Sequence, residues 1–155
     1  MIVDTPNTIH NHIYKALRFR LMSGGIAAGN NFTTRGLTSH YGVSMTPVRD
    51  ATRILIAEGA LTMSYTGQIT ASVLNRDRIE ELLALRLMLE AELASRAFPR
   101  VHNVLIDRMF EINNLIEDTL LKQNNIYYLK QKIEFNKTLY LRAQAPAMLT
   151  LLETV

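Results

Sequence analysis

A chain of 155 residues can form one domain or two small ones, and 20% charged against 48% hydrophobic residues is ordinary for a globular protein. No apolar run approaches the length of a membrane span, and the N-terminus lacks the basic-then-apolar order of a signal peptide, so a cytoplasmic location is expected. With no cysteine, disulfide frameworks and thiolate metal sites are excluded.

The first predicted helix spans Thr8 to Ser23, with Ile9, Ile13, Leu17 and Leu21 spaced by four along one side. Gly24-Gly25 ends it, and Gly29 allows a turn toward the next element. This glycine cluster reads as a pair of turns; a phosphate-cradling loop would need Gly-Lys-Ser/Thr opening a helix. A short helix pattern from Thr34 to Tyr41 meets a Gly42-Val43 turn, and a third helix opens at Ser44. Ser44 suits the N-cap, and Pro47 is tolerated in the first turn, where backbone N–H groups have no intrahelical partner. Val48, Ala51 and Leu55 would face a core, while Met45, Arg49 and Arg53, each four apart, share the opposite face with Thr46 nearby. Two guanidinium groups on the solvent face of the second helix of such a pair suit phosphates and guanine edges. Gly59 stands where that helix should stop. Leu61 and Met63, then Ile69, Ala71 and Val73, alternate around a Tyr65-Thr66-Gly67 turn, predicting a two-stranded β hairpin.

Leu74-Asn75-Arg76 reads as a linker between a domain of residues 1–74 and one of residues 77–155, with Asn75 or Asp77 capping the next helix. That helix, from Ile79 to Ala97, carries Ile79, Leu82, Leu83, Leu89 and Leu93 as an apolar stripe until Pro99-Arg100 breaks it. Another presents Leu105, Met109, Ile112, Ile116 and Leu120 before Asn124-Asn125. The next runs from about Ile126 to Arg142 with Leu129, Ile133 and Leu139, and Pro146 starts a final helical piece. The fold class is mainly α: a helical N-terminal domain with a β hairpin, then an antiparallel helical bundle. The apolar last ten residues stop in mid-pattern, so the bundle is expected to be truncated and to expose apolar surface that a partner chain would cover.

Charge is unevenly spread. Residues 1–75 hold Lys15, Arg18, Arg20, Arg35, Arg49 and Arg53 against Asp4, Asp50 and Glu58, which accounts for the whole excess of +3. The location weakly favours a polyanionic partner for the N-terminal half. Chemical sites are sparse. His10 and His12 diverge on a helix, His102 lacks a second ligand at zinc-like spacing, and no metal site or cofactor is expected. His40, beside the turn between the two short helices, could touch a phosphate. Gly42-Val43-Ser44-Met45-Thr46 starts like a nucleophile elbow but lacks the second glycine and the preceding strand.

The run GVSMTPVRDATRILIAEGAL, residues 42–61, resembles the "GVSRTPVREAL…L…EGL" signature of the GntR family of bacterial transcription regulators. LMSGGIAAGNNFTTRGLT, residues 21–38, is similar to the segment the family places upstream, with Ala28 where proline is usual. IEELLALRLMLEAELASRA, residues 79–97, resembles the opening of the effector domain in the FadR-like (FCD) branch. The resemblance implies a winged helix-turn-helix with a two-stranded wing, and a homodimer that reads a palindromic operator in double-stranded DNA. Arg35, Thr46 and Arg49 match the family's DNA-contacting positions, and Thr66 and Gly67 match its wing tip loosely. With Ser44, Met45, Pro47 and Arg53 these make the candidate DNA-binding set. Met45 stands where the family has arginine; it can touch a thymine methyl but cannot donate to a guanine edge.

In the second domain the resemblance puts Arg86 near an effector pocket, which implies a small carboxylate ligand; a partly buried intrahelical ion pair with Glu90 is the plainer reading. The family's metal-binding "D..FH" run appears as KIEFN, with Lys132 and Asn136 in place of aspartate and histidine, which makes these two effector-binding candidates and a metal site improbable. The expected function is a transcription regulator, cytoplasmic and nucleoid-associated, with no membrane partner. A winged-helix interaction module without DNA function, or a small metabolic enzyme, are the alternatives; no catalytic constellation supports the second.

Overall fold

The computed structural model describes residues 6–155, with side chains from Ile9 onward, and the chain divides into two compact units between Asn75 and Arg76. Arg76, expected in a linker, already opens a helix.

The first unit begins with α1 (Pro6–Met22), two residues longer at its start and one shorter at its end than the apolar spacing suggests. Ile13 and Leu17 are fully buried, and Ile9 and Leu21 pack at the margin of the same core. The helix α2 (Thr34–Tyr41) has its predicted bounds. Thr33 caps it, its hydroxyl accepting from the Gly36 N–H at 3.0 Å, and Gly42 ends it in the left-handed region at φ 64°. The turn delivers the chain to α3 (Met45–Ala57), whose Val48, Ala51 and Leu55 are buried as expected, together with Thr52. The Thr52 hydroxyl is satisfied by donating to the Val48 carbonyl, so its burial leaves no orphan donor. Ser44 occupies the N-cap of α3 in an extended conformation, but its side chain makes no capping bond, contrary to expectation.

The wing is a corner of a larger sheet. Strands β1 (Asn31–Phe32), β2 (Leu61–Met63) and β3 (Ile69–Ala71) form an antiparallel sheet in the order β1-β3-β2. The expected two-stranded hairpin is therefore three-stranded. A two-residue strand cannot show alternation, so β1 left no periodic trace in the sequence. Within the hairpin, Leu61, Ile69 and Ala71 face the core, whereas Met63 and Val73, expected on the same face, are exposed beyond its edge.

The second unit is helical: α4 (Arg76–Ala97), α5 (Asn103–Leu121), α6 (Asn125–Tyr140) and α7 (Pro146–Thr154), with single 3-10 turns at Phe98–Arg100 and Leu141–Ala143. That last turn takes the end of the helix expected to reach Arg142. Asn124 caps α6 by accepting from the Tyr127 N–H at 3.0 Å. A small core joins Leu93 and Ala97 of α4 to Tyr140, Ala143 and Leu152. Only the last turns of α4 are buried. Of its expected stripe, Ile79 and Leu83 are exposed, Leu82 and Leu89 half-buried, and Leu93 alone is sealed. Amphipathic spacing marked a face that the described residues do not cover.

Candidate nucleic-acid interface

The candidate recognition surface is on α3, because the side of that helix not committed to the core is the side that carries charge. Packing of Val48, Ala51 and Leu55 into the first unit's core turns Met45, Arg49 and Arg53 outward, and all three are exposed. Among the described residues, neither the Arg49 nor the Arg53 guanidinium has a carboxylate or hydrogen-bond partner, although Asp50 is adjacent in sequence. Arg35, exposed near the start of α2, is likewise unpaired. Unpaired, solvated guanidinium groups on one surface are available to phosphate oxygens and base edges without first breaking an internal salt bridge. Ser44, Thr46 and Pro47 lie at the N-terminal end of the same helix, where the first backbone N–H groups have no intrahelical acceptor and the helix dipole favours an anion.

The wing tip is a three-residue loop. Gly67 N–H donates to the Ser64 carbonyl at 3.0 Å, and Ser64 N–H donates to the Gln68 carbonyl at 2.9 Å, with Gly67 at φ 82°. This is the turn-plus-left-handed residue arrangement that three-residue hairpins favour, and it explains glycine at that position. The Ser64 hydroxyl also accepts from the Gln68 N–H at 3.1 Å and pairs with the Thr66 hydroxyl at 2.7 Å. Of the two tip residues expected to contact DNA, Gly67 shapes the loop and Thr66 has its hydroxyl tied back into it. Tyr65, absent from the candidate set, is the side chain that projects. Its signal was a large aromatic at the centre of a tight turn.

His40 lies 3.1 Å from the Arg20 guanidinium (Nε2 to Nη1), linking α2 to α1, and its ring meets Tyr41 edge-on. The α1 and α3 helices are joined by the Tyr14 hydroxyl, which donates to Glu58 Oε1 at 2.6 Å.

In the second unit, Arg86 pairs with Glu90 at 2.6 Å on α4. Tyr140 of α6 interacts with the same Glu90 carboxylate, so the expected ion pair is one side of a three-residue cluster. Burial, and then the Glu90 carboxylate, push the Tyr140 hydroxyl above its ordinary pKa of 10.0, with Arg86 opposing. Lys132 is exposed, its ammonium 6.0 Å from the centre of the Tyr128 ring one turn earlier, and Asn136 is half-buried. No group of three metal-binding side chains occurs among the described residues, and no described helix is long and apolar enough to cross a membrane.

Residues 9–65 match the family described as "Bacterial regulatory proteins, gntR family". The chain is 22% identical over 148 residues to the uncharacterized HTH-type transcriptional regulator YdhC of Bacillus subtilis, covering 90% of this chain and 66% of that protein. It is 24% identical over 123 residues to the gluconate operon transcriptional repressor of the same organism, covering 79% of this chain and 50% of the repressor. It thus spans about half to two thirds of the length of these curated relatives, both named as transcriptional regulators. The solved structure of McbR/YncC from Escherichia coli superposes with a TM-score of 0.87 at 20% identity, covering 94% of this chain and 68% of that one, and shows the same fold. Residues 9–65 are accordingly similar to the helix-turn-helix domain of the bacterial gntR family.

Proposed function

We propose that this chain is a DNA-binding transcription regulator of the FadR-like branch, acting as a homodimer whose two N-terminal units read the halves of a palindromic operator. The observation that carries the reading is the outward face of α3, where Arg49 and Arg53 stand unpaired beside an open helix N-terminus. Arg35 adds a third unpaired cation on α2. In this reading the bases are sorted by Arg49 and Met45, which offer a guanine-edge donor and a thymine-methyl contact, and the phosphates by Arg35 and Arg53. The helical second unit supplies dimerisation through its exposed apolar faces and senses a small carboxylate. Arg86 is its anchor: an incoming carboxylate competes with Glu90 for the guanidinium and releases Glu90 and Tyr140, with Lys132 and Asn136 as further contacts. Such a ligand changes DNA affinity only to the extent that it binds the two arrangements unequally. A regulator of this kind works in the cytoplasm, on the nucleoid.

Fluorescence-anisotropy titration of duplexes selected from a random pool, repeated across a salt series, tests the proposal. Specific binding should weaken steeply with salt, with a slope of about −0.9 for each phosphate neutralised. Absence of salt-dependent binding to any duplex would favour the second reading, a winged-helix module for protein partners, to which the exposed Met45 in place of the family's arginine lends support.

A further inference from the structure

We infer that Thr52, on the core side of α3, is a positioning residue for base reading: its hydroxyl sets the course of the helix between Arg49 and Arg53, and with it the angle at which those two side chains leave the backbone. The inference rests on the assignment of α3 as the DNA-reading helix. Thr52 is 4% exposed, in a row with the fully buried Val48, Ala51 and Leu55. Its hydroxyl turns to the backbone, 2.9 Å from the Val48 carbonyl oxygen and 3.0 Å from that of Arg49, and shares its one proton between them. In the α-helical pattern these same carbonyls accept the N–H groups of Thr52 and Arg53. The hydroxyl therefore competes inside the single turn that separates the two arginines. Back-bonding of this kind weakens the backbone bonds it shares and bends a helix. Thr52 stands where the GntR signature has leucine, a side chain with no donor.

Among the described residues, the Thr52 hydroxyl bonds to nothing outside α3, so it ties no second element to the helix. Its effect is confined to the path of the helix itself. A bend of about 5° carried to the end of an arginine side chain moves the guanidinium by roughly 0.5 Å, which is the tolerance of a contact that must meet two base atoms at once. A solvated phosphate contact is far more forgiving of such a shift, because it depends on charge and not on fork geometry. Loss of the hydroxyl should therefore show in base preference and leave the salt dependence alone.

The test uses the whole chain and a duplex that the unaltered protein selects from a random pool. Thr52→Val replaces the hydroxyl by a methyl group of the same shape, and Thr52→Ser keeps the hydroxyl while removing the methyl. Thr52→Val should lose about fivefold of the preference for the selected duplex over singly substituted ones, with an unchanged slope of log affinity against log salt. Its thermal transition should be unmoved or raised. Thr52→Ser should keep the preference and melt lower, because a buried methyl is gone. If Thr52→Val keeps the full preference while Arg49→Ala is impaired, the inference fails and the DNA-reading assignment stands. If Thr52→Ser loses the preference together with Thr52→Val, side-chain packing is responsible and the role of the hydroxyl is refuted. A lower transition in Thr52→Val with equal loss over all duplexes marks a purely structural residue and refutes it too. If the unaltered chain selects no duplex, the assignment fails and takes the inference with it.

Discussion

The hydroxyl of Tyr14, in the middle of α1, donates to Glu58 at the C-cap of α3 across 2.6 Å and 44 residues of sequence. It joins the helix that opens the first unit to the end of the helix proposed to read DNA, at the point where Gly59 turns the chain away at φ 76°. A neutral donor to a carboxylate in a half-buried setting is a charge-assisted bond. Tyr14→Phe, which deletes only the hydroxyl, should lower stability by about 1–2 kcal/mol. Thermal denaturation followed by circular dichroism measures this; an unchanged transition would show that Glu58 is as well served by water.

For Arg49, unpaired on the exposed face of α3, replacement by alanine should weaken specific operator binding by about 1–3 kcal/mol and relax base preference at one position of each half-site. Anisotropy titration against a set of singly mutated operators checks both. Loss of affinity that is uniform over all sequences would reassign Arg49 to phosphate.

The raised pKa of Tyr140 makes a statement about stability. The folded state holds the phenol proton more tightly than the unfolded chain does. The associated stabilisation is complete below the unfolded value near 10.0, and it is lost as pH rises through the higher folded value. The helical unit should therefore unfold more readily in strong alkali, and Tyr140→Phe should remove that part of the pH dependence. Glu90→Gln removes the neighbouring negative charge and should bring the phenol pKa partway back, burial still acting on it. Phenolate absorbance during an alkaline titration reads both changes. A higher pKa in Glu90→Gln would contradict the stated cause.

Self-association should map to α4. Ile79, Leu83 and Leu87 repeat every four residues along it, and Leu87 and Met88 are 60% and 71% exposed. Surfaces of this kind are normally covered by another molecule. Sedimentation equilibrium of the chain should give a dimer, and Leu83→Glu with Leu87→Glu should give a monomer whose helical content is intact. A dimer that survives the double substitution places the interface elsewhere.

The parts of this molecule that were legible in the sequence are those where one physical requirement controls several residues at once. Burial on one side of a helix set the register of α1 and α3 through Ile13, Leu17, Val48, Ala51 and Leu55, and hence the outward direction of Arg49 and Arg53. Caps and left-handed glycines gave the bounds of α2 and the wing loop. What escaped were features settled by a single partner distant in sequence. The β1 strand exists because Asn31 and Phe32 find Thr70 and Ile69, and no local pattern encodes that pairing. Glu90 gives the same i,i+4 spacing to Arg86 whether or not Tyr140 arrives from another helix. The stripe on α4 was read correctly as apolar, but spacing does not say whether the covering surface lies in the same chain.

In the sheet, β3 is the central strand, and β1 on its outer side belongs to the connection between α1 and α2. Gly29 N–H donates to the Ala71 carbonyl, and Ala71 N–H donates to the Asn30 carbonyl, each at 2.9 Å. A two-stranded ribbon of three-residue strands would be marginal by itself and would fray from its tip inward. With β3 clamped on both sides, peeling the hairpin from its base also requires releasing the loop that precedes α2 and α3. The base of the hairpin and that loop should consequently open as one cooperative segment, so that the amides of Gly29 and Ala71 exchange with solvent together and more slowly than those of the hairpin's tip.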